Sequence, residues 1–93
     1  MNWYWAPWWV MPLCEPTQMR RDDAIIVSPS EHAAWVQIKR WCADTIRGCY
    51  AESQHAAEHY VRDFWRAKAT LAQAMHEMAV ANEIRTMPKA QGA

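Results

Sequence analysis

The side chains in this chain best suited to chemistry are three cysteines, Cys14, Cys42 and Cys49, and four histidines, of which His32 and His76 stand alone. A thiolate beside an imidazole base could act as a nucleophile, and two thiols at the right separation could form a disulfide. The cysteine count is odd and no C-x-x-C spacing occurs, a pattern of reduced thiols rather than of a secreted disulfide framework. That pattern points to the cytoplasm. If one helix carries both, Cys42 and Cys49 share a face but sit roughly 10 Å apart along the axis, too far for a direct bond. The simpler expectation is two small buried side chains. There is no glycine-rich phosphate loop, nucleophile elbow or zinc-type cysteine pair in the sequence.

The string His55-Ala56-Ala57-Glu58-His59 matches H-x-x-E-H and resembles the zinc site of the inverzincin metallopeptidases, a resemblance that covers only these positions of the 93. It implies His55 and His59 as zinc ligands and Glu58 as the base acting on a metal-bound water, which needs both imidazoles on one helical face. A third ligand would have to come from elsewhere, with Glu77 or Glu83 as candidates. Members of that family shape a substrate chamber from large domains. A chain this short, with two Gly, lacks the loops to enclose one. The expectation is a protein that is not an enzyme, with no catalytic residue, no metal and no cofactor.

Apolar area is the more distinctive resource. Trp3, Tyr4, Trp5, Trp8 and Trp9 crowd large rings into the first nine positions, more than a free end would normally expose. Three hosts could bury them: the protein's own helices, another protein, or a membrane interface. Tryptophan and tyrosine suit protein contacts because they combine area with a polar tip and few rotatable bonds. Positions 3 to 9 are loosely similar to tryptophan-rich antimicrobial peptides, which combine rings with cations. Here no basic side chain precedes Arg20, so attraction to anionic lipid is disfavoured. Ten basic and ten acidic residues cancel, and the basic ones form no run beyond Arg20-Arg21 and Lys39-Arg40, which disfavours nucleic acid. A net charge near zero gives little repulsion between copies, so a homo-oligomer is open to it.

The elements that must position these residues are helical. Prolines at 7, 12 and 16 exclude a regular helix through most of residues 1–27, leaving an extended aromatic arm and a polar connector. The run Ala24 to Val27 could form a short strand, with no evident partner. Ser28, Pro29 and Glu31 read as a capping box opening a first helix over 29–47. Trp35, Ile38, Cys42, Ile46 and Cys49 form its inner stripe, with Trp41 at the margin. Gly48 after Arg47 suits a helix end, the alternative being a glycine inside a continuous helix at about 1 kcal/mol. A second helix is expected over 51–86, stopped by Pro88, with Phe64, Leu71 and Met78 recurring every seven residues. Tyr60, Ala67, Ala74 and Ala81 form one flanking seam; Val61, Lys68, Met75 and Asn82 form the other.

The expected fold is all-α: a helical hairpin of one shorter and one long helix, roughly 28 Å and 54 Å, with an irregular Trp/Pro-rich N-terminal arm. One small domain spans 1–93, with the arm and connector over 1–27, the helical region over 28–87 and a tail over 88–93. The longer helix would overhang, and its end near Leu71, Met75, Met78 and Ile84 would need a cover from the arm or from a second copy. The functional expectation is a small protein-binding module that regulates or inhibits a larger protein by occupying its surface. Its contacts would be Trp3, Tyr4, Trp5, Trp8, Trp9, Leu71, Met75 and Met78. The rival expectations are a self-associating assembly protein through the heptad line and, further off, peripheral membrane attachment by the arm.

Overall fold

The computed structural model describes residues 1–7 and 14–88; Trp8 and Trp9 lie outside the described residues, as does most of the tail. Helix α1 spans Glu31–His55 and is capped by Ser30, whose Oγ accepts a hydrogen bond from the Ala33 amide at 3.1 Å. The cap thus sits two residues beyond the expected Ser28, which instead ends a strand. The inner stripe forms as expected: Trp35, Ile38, Cys42 and Cys49 are buried, Ile46 and Trp41 are half-buried, and Ser53 extends the line.

Helix α1 does not end at Gly48. The stripe continues past it through Cys49 and Ser53, so unwinding there would expose side chains that are now buried. Keeping a glycine in the helix costs only about 1 kcal/mol. Gly48 faces solvent, and a Cβ added to it would meet nothing within 4 Å. The chain turns instead over Ala56–Glu58, and helix α2 runs over His59–Arg85. With 25 and 27 residues the two helices are nearly equal, each roughly 40 Å long. The expected overhang is therefore absent, and the helices pack against each other as a hairpin. At the far end the Thr86 amide bonds the Asn82 carbonyl and the Met87 amide that of Ile84, just before Pro88, in line with the expected stop.

The face that α2 buries differs from the heptad line read in the sequence. Ala69, Ala72, Met75 and Ala79 are buried. Val61, Lys68 and Asn82 are half-buried, while Tyr60, Ala67 and Ala81 are exposed. The partly polar seam therefore turns toward the core and the alanine seam turns away from it. Small residues on the buried face let α1 keep its large ones, Trp35 and Ile38, at the same layer.

The arm is not irregular over its first residues. Strand β1, Trp3–Trp5, pairs antiparallel with β2, Ile26–Ser28, in the register Trp3 with Ser28 and Trp5 with Ile26. The short apolar run thus finds its partner in the arm itself. Tyr4 also exchanges backbone hydrogen bonds with Thr17 on the other edge of β1, at 2.7 and 2.9 Å. Alternation along the strands sends Trp5, Ile26 and Ser28 inward and Val27 outward. The core joins Trp5 and Ile26 to Trp35, Ile38, Cys42, Met75 and Ala79, with Cys14, Trp41 and Met78 packed against it. Trp5 meets Trp41 edge to face with centroids 5.3 Å apart. Its indole N–H donates to the Cys14 carbonyl at 3.2 Å, and the Cys14 thiol donates to the Ala6 carbonyl at 3.1 Å.

Candidate functional site

The nucleophile reading weakens once the cysteines are placed. Cys42 lies in the core, and burial, with a smaller push from Cys14, raises its thiol to about 12. Burial also raises Cys14, against the pull of Arg21, and Cys49, against the pull of Lys68. At neutral pH all three are thiols, and the thiolate that nucleophilic chemistry needs is disfavoured. The described cysteines are free of disulfides.

The H-x-x-E-H string straddles the turn. His55 is the last residue of α1, Glu58 is the N-cap of α2, and His59 is its first residue. The helix that would set both imidazoles on one face is therefore interrupted between them. His59 Nε2 lies 3.3 Å from Asp63 Oδ2, both exposed. No group of three or more metal-ligating side chains is found among the described residues. A surface groove between the helices gathers Arg47, Gln73, His76 and Glu77 beside Ala43 and Ile46.

The open end of the hairpin is tied by polar contacts. Glu31 Oε2 accepts from the Trp35 indole at 3.1 Å and from Arg85 at 2.6 Å, while Lys39 pairs with Glu83 at 2.6 Å. Burial opposes ionisation of Glu31, yet the indole and the Arg85 guanidinium together outweigh it and hold its carboxyl below the usual range. The Thr86 hydroxyl donates to the Asn82 carbonyl at 2.6 Å, which leaves its oxygen to accept from His32 Nδ1 at 3.2 Å. These contacts hold the open end of the hairpin together.

The proposed contact residues divide in two. Trp5, 1% exposed, and Met75 belong to the core; Trp3 and Tyr4 are half-buried in the sheet layer. Leu71 and Met78 are half-exposed on the flank of α2. There they join residues the contact set did not include: Tyr60, 71% exposed, and Phe64, 52% exposed. Ala67, Ala74 and Ala81 complete the line. From Tyr60 to Ala81 the spacing runs 4-3-4-3-4-3 without a polar residue, the period of a helix-pairing seam. Phe64 meets Trp65 edge to face at 5.3 Å, and the Lys68 ammonium lies 4.8 Å above the Phe64 ring. The signal for Tyr60 and Phe64 was present in the sequence as this alternation of two seams, but it could not say which seam faces the core.

No family model, curated protein or solved structure matches the chain.

Proposed function

We propose that this protein is a non-catalytic binding module that acts by occupying a surface of a larger protein, with the outer stripe of α2 as its contact. One observation carries the reading: along an apolar line of helix-pairing period, Tyr60, Phe64, Ala67 and Ala81 are exposed and Leu71, Ala74 and Met78 are half-buried, Met78 against the core. Exposed apolar area of this extent is a feature of interaction surfaces. A ridged helical flank receives another helix or a groove by the spacing of its anchors. Trp3 and Tyr4 would extend the contact from the sheet layer, whereas Trp5 and Met75 support it from beneath. Free thiols agree with a reducing compartment such as the cytoplasm. Among the described residues no helix is long and apolar enough to cross a membrane.

The test places a photo-activatable residue at Ala67 of the full chain and, as a control, at Gln37 on the exposed side of α1, in cells of its source. The Ala67 probe should give adducts with a distinct foreign protein, and the pair Phe64→Glu with Leu71→Glu should remove them while circular dichroism stays helical. Equal labelling from both probes would end the reading.

A further inference from the structure

We infer that the outer stripe of α2 is also complementary to itself, so that a second copy of this chain, running antiparallel, occupies it; the inference rests on the stripe being a docking surface. Side chains along the stripe alternate in size. Large residues, Phe64, Leu71 and Met78, alternate with alanines, Ala67, Ala74 and Ala81. Two such helices side by side and parallel would set large against large and alanine against alanine, leaving gaps at every other layer. Reversing one copy sets Phe64 on the partner's Ala81, Leu71 on the partner's Ala74 and Met78 on the partner's Ala67. From Phe64 to Ala81 each layer then holds one large and one small side chain, while Tyr60 falls opposite the partner's Arg85, and the symmetry of the pair repeats each contact twice.

The flanks agree with that register. Thr70 lies nearest the partner's Glu77, and Asp63 nearest the partner's Ile84, so the closest flanking pairs set no like charges together. Lys68 lies nearest the partner's Met75, at the inner margin. The zero formal charge of the chain adds no net repulsion between copies. Among the described elements, β1 and β2 pack on α1 rather than on α2. The six paired anchors per copy are few against the roughly 20 to 30 residues a side of a standard interface, so the pair is a weak one that a foreign helix can displace. Self-pairing would then hold the contact surface in reserve.

Sedimentation of the purified full chain across the micromolar range tests this through a compensating pair of substitutions. The expected result is a reversible dimer. Ala74→Leu alone sets leucine on leucine twice and should weaken the dimer about tenfold or more. Adding Leu71→Ala exchanges the large and small positions and should restore it. Both sites are half-exposed, so circular dichroism should show an unchanged fold. A monomer at every concentration, a dimer that Ala74→Leu tightens as a parallel pair would, or a double variant no better than the single one would each overturn the inference. A monomer that still gives the foreign adduct at Ala67 would overturn self-pairing alone. A compensated dimer with no foreign adduct would leave self-pairing standing and remove the binding-module reading.

Discussion

The two ends of the hairpin are built on different terms. At the open end, where α1 begins and α2 finishes, the sheet layer covers the helices. Trp5, Trp35 and Ile38 are buried there, and Glu31–Arg85, Lys39–Glu83 and His32–Thr86 cross between the helices. At the turn end Tyr50, Tyr60 and Phe64 are exposed, Glu58 makes no side-chain cap, and Gly48 sits in open helix. The open end buries its largest rings, although Ile84 and Met87 stay exposed there, while the turn end leaves Tyr50, Tyr60 and Phe64 on the surface. The contrast teaches that buried rings and ties between the helices are concentrated where the sheet lies.

The sharpest way to break the contrast is to truncate one ring at each end. Trp5→Ala should destabilise the fold by about 3–5 kcal/mol, as a large buried side chain does. Phe64→Ala should cost under about 0.5 kcal/mol in the monomer, as surface changes do. Urea unfolding followed by circular dichroism measures both, and comparable losses would show that the turn end is core after all. Because Trp5 lies in the core, replacing it together with other rings of the arm should cost the fold as well as any contact.

A smaller effect lies in the polar ties. Glu31 ionises more readily when folded, so its contribution is present above the unfolded carboxyl range, near pH 4, and is lost as pH falls through its lower folded value. Glu31→Gln should cost about 1 kcal/mol at pH 7, with the gap to the parent protein closing in acid. Thermal unfolding across pH 3 to 7, roughly the range in which carboxyls titrate, reads it directly; a gap that stays constant would mean the charge of Glu31 contributes nothing. The smallest effect sharpens the turn end. Gly48→Ala fits open space within α1 and should raise stability by roughly 0.5–1 kcal/mol, whereas a loss would indicate that the helix is interrupted there.

Much of the hairpin was legible in the sequence because helical burial repeats locally. Trp35, Ile38, Cys42 and Cys49 fall on one face whatever lies elsewhere in the chain, and Pro88 stops α2 by its own chemistry. The turn was not legible. Ala56-Ala57-Glu58 carries neither glycine nor proline, while Gly48 offered a misleading stop that the continuing stripe overrides. The pairing of Trp3–Trp5 with Ile26–Ser28 joins segments with no periodic link, and three-residue strands give too short an alternation to read. The stripe of α2 was half legible: its period was plain, but its direction depended on which face of α1 offered the larger side chains.

One consequence of the sheet layer concerns the order in which the chain is made. Trp5 leaves the ribosome roughly 70 residues ahead of Ala79, about 4–15 s at usual elongation rates. During that interval Trp5 can already settle on β2 and on Trp35, Ile38 and Trp41 of α1, but the Met75 and Ala79 side of the core does not yet exist. Nascent chains of this protein therefore hold a half-built core, with the inner face of α1 open, until α2 emerges to close it.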